Sequence, residues 1–116
     1  MGTLSFRKQD RLHSRKDIQE LFSKGSSFYL HPFKVFHLPN YGSPMDQVLI
    51  SVPSRNFGRA VDRNLIKRRI REAYRLHKRS HPEKPVLLGL VYSAKEILPH
   101  PLILNRVVEA IKRIQG

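Results

Sequence analysis

The segment 58–79 limits most strongly what this chain can fold into, because its apolar residues recur at the spacing of a helix with one buried face. At about 100° per residue, one arc of a helix collects the apolar residues Leu65, Ile66, Ile70, Ala73, Tyr74 and Leu76. The opposite arc, about 140° wide, collects Arg63, Asn64, Lys67, Arg68, Arg71, Arg75 and Lys78. The pattern predicts a long helix that packs one face on a core and turns a basic face outward.

The charge on this helix is predominantly positive. Between residues 55 and 79 there are ten basic residues and two acidic ones, a formal charge of +8 out of the chain's +13. A solvated surface helix usually mixes the two signs, whereas like charges four residues apart cost roughly 0.2–0.5 kcal/mol per pair until an anion binds. Such like charges follow one another at Arg59, Arg63, Lys67, Arg71 and Arg75. The pattern favours binding of a polyanion.

Composition narrows the class of protein and of partner. A chain of 116 residues is long enough for one domain, 1–116, with a single modest core. A pI near 10.8 makes nucleic acid the first expectation for a partner, because phosphate contacts release condensed counterions. An anionic membrane fits less well, since membrane-surface helices usually pair a basic face with Trp, Phe or Leu. The longest apolar stretch, 86–92, is too short to span a bilayer. The N-terminal residues lack the apolar region of a signal peptide, so we expect a cytoplasmic protein.

Few residues in this chain suggest catalysis or metal binding. With no cysteine, the chain has no disulfide, no thiolate nucleophile and no Cys-based zinc site. His77 and His81 stand four residues apart but lack a third ligand nearby. No pair of carboxylates lies in an apolar stretch that would separate their pKa values for acid and base catalysis, and no phosphate-binding loop or nucleophile motif is found. We therefore expect no catalytic residue and no metal ligand on the polypeptide.

The N-terminal part predicts an arm followed by a helix. Residues 1–13 are polar and basic with scattered apolar residues, which is typical of an irregular, flexible arm. Ser14 and Asp17 suit the first turn of a short amphipathic helix over 14–24. Gly25 is placed as the residue that ends this helix.

The remaining pattern alternates strands with helices. A short strand is predicted near 28–30, and 33–38 alternates with Lys34, Phe36 and Leu38 on one face. We expect 47–53 to return antiparallel to 33–38 as a hairpin. Residues 86–92 are apolar on both faces, as in a strand buried inside a sheet, and follow the long helix in a crossover that would place them parallel to 47–53.

The C-terminal part predicts a second helix on the sheet. Ser93–Glu96 suit one helical turn, and a helix is expected from Pro101 to the end. The whole pattern predicts one α+β domain in the order α-β-β-β-α-β-α, with one mixed sheet and helices packed on it.

Aromatic residues crowd the first strands. Phe28, Tyr29, Phe33 and Phe36 lie there, and Phe22 lies on the preceding helix. Most such rings belong to a core, yet Lys34 and Phe36 share one strand face. Exposed rings beside a basic groove suit unpaired nucleotides, because stacking contributes roughly 1–3 kcal/mol per base. We hypothesise that a single-stranded segment binds in a cleft between the first helix and the sheet.

The run FGRAVDRNLIKRRIREAYR at 57–75 resembles the signature segment of the bacterial ribonuclease P protein component. Residues 17–25 resemble that family's first helix and residues 49–52 its strand before the signature. The resemblance covers 4–79 and, more loosely, the closing strand and helix. It implies a small basic subunit of a ribonucleoprotein that removes the 5′ leader from precursor tRNA by hydrolysing one phosphodiester bond. It also implies an unusual left-handed strand–helix–strand crossover.

The resemblance further implies which roles belong to the RNA and which to the protein. The catalytic RNA would hold the active site and the magnesium ions, and one protein would bind each RNA. Phe22 and Phe36 match aromatic positions of the leader-binding cleft, Ile18 stands where an aromatic residue is common, and Lys34 lies on the same strand face as Phe36. Leu65 departs from the family, which usually has a second arginine there. The expected RNA-binding residues are Arg55, Arg59, Arg63, Asn64, Lys67, Arg68, Arg71 and Arg75.

Two other classes of protein fit the charge. A ribosomal or chaperone-like RNA-binding protein would bind folded RNA without preferring a 5′ extension. A DNA-binding module would lay the long helix in a major groove and bind duplex DNA better than RNA.

Overall fold

The computed structural model describes residues 10–40, 42–79 and 82–115 and confirms the predicted order of elements. Three helices and four strands follow one another as α-β-β-β-α-β-α, which makes this an α+β fold. Their bounds are α1 Arg15–Lys24, β1 Ser26–Leu30, β2 Phe33–Pro39, β3 Gln47–Ser51, α2 Ala60–His77, β4 Val86–Tyr92 and α3 His100–Gln115.

The four strands form one mixed sheet in the order β1-β2-β4-β3. β1 pairs antiparallel with β2, and β2 pairs antiparallel with β4. β3 pairs parallel with β4, as the crossover through α2 predicts. The predicted hairpin between β2 and β3 is wrong, because β4 lies between these strands. β4 is buried on both faces, and a central position between two strands and two helix layers removes both faces from water.

One face of the sheet packs against α2 and α3. The sheet supplies Val35, Val48, Leu88 and Leu90, all at most 1% exposed. The helices supply the buried side chains of Ile66, Ile70, Ala73, Tyr74, Ile103, Val107, Ala110 and Ile111. This is the main hydrophobic core. Its α2 members are four of the six residues in the apolar arc that the sequence predicts, whereas Leu65 is half-buried and Leu76 is exposed.

The other face packs against α1 through a smaller cluster. Leu12, Leu21 and Leu87 are its buried members. Gly89 on β4 allows α1 to lie close to the sheet, since a Cβ there would lie 3.1 Å from Cδ2 of the fully buried Leu21. The absence of a side chain at Gly89 therefore determines how closely α1 approaches the middle of the sheet.

The ends of α1 follow from two residues. Ser14 is the N-cap, and its side chain accepts a hydrogen bond from the backbone N–H of Asp17 at 3.3 Å. Gly25 ends the helix as predicted but has extended backbone, with φ −72°. A glycine is needed there for space, because a Cβ would lie 2.9 Å from the carbonyl oxygen of His37 on β2.

Part of the predicted arm is packed. The backbone N–H of Leu12 donates to the carbonyl oxygen of Val48 at 2.9 Å, and Arg11 forms a parallel bridge with Val48. Asp10 and Leu12 are 3% and 2% exposed. Residues 10–13 therefore extend along the outer edge of β3, whereas 1–9 lie outside the described residues.

The helical turn predicted for Ser93–Glu96 is absent, and Lys95 and Glu96 form a bend instead. The Oγ of Ser93 donates to the carbonyl oxygen of Pro32 at 2.9 Å, which directs the chain back toward the turn between β1 and β2. Within residues 10–40, 42–79 and 82–115, no helix has the length and apolar character needed to cross a membrane.

Candidate nucleic-acid interface

The outer face of α2 carries the predicted basic residues. Asn64, Arg68 and Arg71 are exposed, and Arg63, Lys67 and Arg75 are half-buried beside them. Arg55 and Arg59 are exposed in the segment that leads from β3 into the helix. The structure therefore brings all eight predicted RNA-binding residues to one helix and its N-terminal approach. Their contact with RNA stays a prediction.

Arg63 has a structural contact as well as an outward position. Its Nη1 donates to the carbonyl oxygen of Phe57 at 2.7 Å, across the first turn of α2. This bond holds the guanidinium in place at the helix start. Because a guanidinium has five N–H donors in a fixed plane, the remaining donors can still meet a phosphate.

Arg75 is paired with Glu72 on the exposed surface of α2. Its Nε donates to Oε1 of Glu72 at 3.2 Å, and its Nη2 forms an ion pair with the same carboxylate. The hydrogen bond lowers the pKa of Glu72 and raises the pKa of Arg75. The positive charge of Arg75 is thus partly offset, so we rank it below Arg68 as a phosphate contact.

Lys78 does not belong to the outward basic face, contrary to the helical arc drawn from the sequence. α2 ends at His77, and the Nζ of Lys78 lies 2.7 Å from Oδ2 of the buried Asp10. Arg79 is likewise bonded to the buried Asp46. These two cations hold the end of α2 to the rest of the fold. Their partners have no local sequence signal, because they lie 68 and 33 positions away along the chain.

The predicted cleft between α1 and the sheet has an aromatic and basic lining. The rings of Phe22 on α1 and Phe36 on β2 meet edge to face, with centroids 4.7 Å apart. Phe22 remains 42% exposed. The Nζ of Lys34 lies 5.4 Å from the centroid of the Phe36 ring, within the range of a cation–π contact. Ile18 is half-buried and packs into the small cluster under α1.

A groove along the outer edge of β3 joins the basic face to the cleft side of the sheet. It has a volume of about 140 Å³ and is lined by Arg11, Leu12, Val48, Leu49, Ile50 and Arg71. Arg71 reaches it from α2, while Leu49 packs against the cluster under α1. The groove therefore extends from Arg71 on the basic helix to Leu49, on the side of the sheet that carries α1.

Tyr29 belongs to the same sheet face but was not among the predicted site residues. It stands opposite Lys34 in the β1–β2 register and is 59% exposed. Strand alternation within 26–30 is the signal that would have placed it there, since Phe28 and Leu30 face the main core.

The carboxylates do not fit a magnesium ion on the protein. Asp10, Asp46, Glu72 and Glu109 are bonded to lysine or arginine side chains. Among the residues that the structure describes, no three His, Cys, Asp or Glu side chains are grouped to hold a metal. His81, one of the two spaced histidines, lies outside those residues.

Comparison with known proteins points to the ribonuclease P family. A family model described as Ribonuclease P matches residues 6–114. The curated ribonuclease P protein component of Porphyromonas gingivalis strain ATCC 33277 is 37% identical over 79 residues, which cover 66% of this chain and 58% of that relative. The corresponding protein of Listeria monocytogenes serotype 4a is 33% identical over 112 residues, which cover 89% of this chain and 93% of the relative.

Solved structures of similar proteins share the fold. A Staphylococcus aureus RNase P protein mutant with defective mRNA degradation activity superposes with a TM-score of 0.77 at 30% identity, over 93% of this chain and 90% of that one. The RNase P protein from Thermotoga maritima gives a TM-score of 0.75 at 25% identity, over 91% of this chain and 98% of that one. Two of these matches span less than two thirds of the relative's length. They cover 58% of the Porphyromonas gingivalis protein and 64% of the Petrotoga mobilis protein.

Proposed function

Because this chain belongs to the ribonuclease P family, we propose that it is the protein subunit of ribonuclease P and assists removal of the 5′ leader from precursor tRNA. The observation that carries the proposal is the placement of a basic helix face beside an aromatic cleft on one fold. A groove along the edge of β3 lies between them, lined by Arg71 of α2 and by Leu49, which packs against the cluster under α1. One surface suits a folded RNA and the other a single strand.

The basic face of α2 would bind the catalytic RNA. Arg55, Arg59 and Arg68 are exposed, and Asn64 lies beside them on the helix. Lys and Arg side chains on phosphates release counterions, which supplies affinity that does not depend on base sequence. Asn64 adds an amide that can donate to a phosphate or a base and also accept.

The cleft between α1 and the sheet would hold the leader. Phe22 and Phe36 offer ring surface for bases, and Lys34 offers charge for the backbone. Stacking contributes roughly 1–3 kcal/mol per base and tolerates any base. A leader of variable sequence could therefore be bound without base-specific hydrogen bonds.

The chemistry of cleavage would belong to the RNA, with one protein bound to each RNA. Magnesium, bound mainly by the catalytic RNA and the substrate, would supply the activated water and stabilise the leaving oxygen. The protein would bring positive charge between two polyanions, the leader and the catalytic RNA. Reduced repulsion between them would allow their magnesium sites to fill at lower magnesium concentration.

Reconstitution tests the proposal. The protein is added to a bacterial ribonuclease P RNA at low magnesium, and cleavage of precursor tRNA is measured together with affinity for precursor and mature tRNA. We expect cleavage to be restored and the protein to increase affinity for the precursor more than for the mature tRNA. Equal effects on both tRNAs with no gain in cleavage would instead indicate a ribosomal or chaperone-like RNA-binding protein.

A further inference from the structure

Four residues form a row across the sheet on the face that carries α1. In the strand registers, Ser51 stands opposite Val91, Val91 opposite Lys34, and Lys34 opposite Tyr29. Directly opposed residues project from the same face of a sheet. Lys34 shares its face with Phe36, which packs against the α1 cluster. The row is therefore the next line of side chains beyond the Phe22–Phe36 contact.

Tyr29 ends this row with an exposed ring held at its tip. The hydroxyl oxygen lies 3.1 Å from Nδ1 of His31 and 3.4 Å from Oγ of Ser93. The side chain is nonetheless 59% exposed. A ring fixed at one end and open to solvent loses little conformational entropy when a base stacks on it.

The position of Tyr29 in the sheet gives a direction along the cleft. β3 leads into the approach to α2, and β1 is the strand at the opposite edge. Three interstrand steps of about 4.8 Å separate Ser51 from Tyr29, or roughly 14 Å. A strand that leaves the basic surface of α2 and crosses the sheet passes Lys34 and Phe36 before it reaches Tyr29.

We propose that Tyr29 is a stacking site for leader nucleotides far from the cleavage point, so that it extends the cleft to the outer edge of β1. The occupant is single-stranded RNA, because Lys34 beside Tyr29 supplies charge for a phosphate and the row continues the Phe22–Phe36 cleft. The proposal rests on the proposed function of leader binding. It adds a dependence of affinity on leader length.

The test measures affinity of the reconstituted holoenzyme for precursor tRNAs with leaders of roughly two and roughly ten nucleotides, and for mature tRNA. The variants are Tyr29→Ala, Tyr29→Phe and Phe36→Ala, with Leu76→Ala as a control that removes another exposed apolar side chain. Tyr29→Ala should weaken binding of the long-leader precursor roughly 5- to 100-fold and leave the short-leader precursor and mature tRNA unchanged. Tyr29→Phe keeps the ring and should retain most of the affinity. Circular dichroism checks that each variant is folded.

The outcomes separate the two proposals. If Tyr29→Ala binds every substrate like the wild type while Phe36→Ala weakens leader-bearing precursors, the Tyr29 site is wrong and leader binding stands. Equal weakening of mature and precursor tRNA by Tyr29→Ala also overturns the Tyr29 site. If the wild-type protein gives the holoenzyme no preference for any leader, leader binding itself is wrong, and the Tyr29 site falls with it.

Discussion

Arg79 holds the buried carboxylate of Asp46 with two hydrogen bonds, from Nε to Oδ2 at 2.7 Å and from Nη2 to Oδ1 at 2.6 Å. The same Oδ1 accepts the backbone N–H of Val86 at 2.9 Å. One carboxylate therefore ties the residues after α2 to the first residue of β4. The end of the basic helix is fixed to the central strand by a single side chain that is 4% exposed.

Replacing Asp46 should destabilise the fold without touching the proposed RNA-binding residues. Asp46→Ala leaves the guanidinium of Arg79 and the N–H of Val86 without this acceptor, and loss of one member of a buried ion pair costs about 3–5 kcal/mol. Urea unfolding followed by circular dichroism measures the change. The matched control is Glu109→Ala, which breaks two exposed pairs, with Arg106 and Arg113, and should cost no more than about 1 kcal/mol. Similar losses in the two variants would contradict a structural role for the Asp46 contact.

Removing one positive charge should have different consequences on the outer face of α2 and just after the end of that helix. Arg68 is exposed, so Arg68→Ala should weaken binding of the catalytic RNA and lower the slope of log affinity against log salt by about one. Its unfolding free energy should stay within about 0.5 kcal/mol of the wild type. Filter binding over a series of salt concentrations gives the slope.

The control with the same change of charge is Lys78→Ala. Lys78 is bonded to the buried Asp10, so this variant should lose about 1–3 kcal/mol of stability and keep most of the salt slope. If both variants reduce the slope equally, total charge would determine RNA binding, and the assignment of the outer face of α2 would be wrong.

An arginine at position 65 should add a phosphate contact. Leu65 follows Asn64 on α2 and is partly exposed, and the resembled family usually has arginine there. Leu65→Arg should tighten RNA binding and steepen the salt slope by about one. Leu65→Met changes the side chain without adding charge and should bind RNA like the wild type. Equal behaviour of the two variants would place residue 65 away from the RNA.

Two buried tyrosines should make the fold sensitive to alkaline pH. Burial raises the pKa of Tyr74, and the carboxylates of Asp46 and Asp10 add to the effect. Burial also raises the pKa of Tyr92. In the unfolded chain a tyrosine ionises near pH ~10. Stability is therefore fully present below that pH and is lost as the pH rises toward the folded-state pKa, because only the unfolded state releases the protons.

The variant Tyr74→Phe checks this linkage. It removes one hydroxyl that stays protonated in the fold, so its stability should fall less steeply above pH ~10 than that of the wild type. Thermal unfolding at a series of pH values gives both slopes, and the values at neutral pH provide each protein's baseline. An unchanged slope in Tyr74→Phe would mean that other groups cause the alkaline loss.

Local periodicity predicts most of the elements and their faces. The buried residues of α2, Ile66, Ile70, Ala73 and Tyr74, follow the helical period, and burial of Phe33 and Val35 with exposure of Lys34 follows the strand period. These predictions hold because the direction of a side chain repeats every few residues along a helix or a strand. The basic face and the cleft pair Phe22 and Phe36 are predicted for the same reason.

Pairing between distant segments has no such local signal. Nearest strands in sequence favour a hairpin of β2 and β3, yet β4 inserts between them because both its faces are apolar. Lys78 fits the helical arc, but Asp10 draws it out of the basic face from 68 positions away. Tyr29 joins the cleft only through its register with Lys34. Each of these depends on tertiary structure rather than on propensity.

The glycine at position 89 also bears on the proposed leader-binding surface. A methyl group in that place would lie 3.1 Å from Cδ2 of Leu21, so this side chain would have to move by a few tenths of an ångström. Leu21 adjoins Phe22 on α1, so a change at this buried position on the central strand acts next to a residue of the proposed cleft. Under the proposed leader binding, an interior substitution would then alter the cleft while every proposed RNA-binding side chain stays the same.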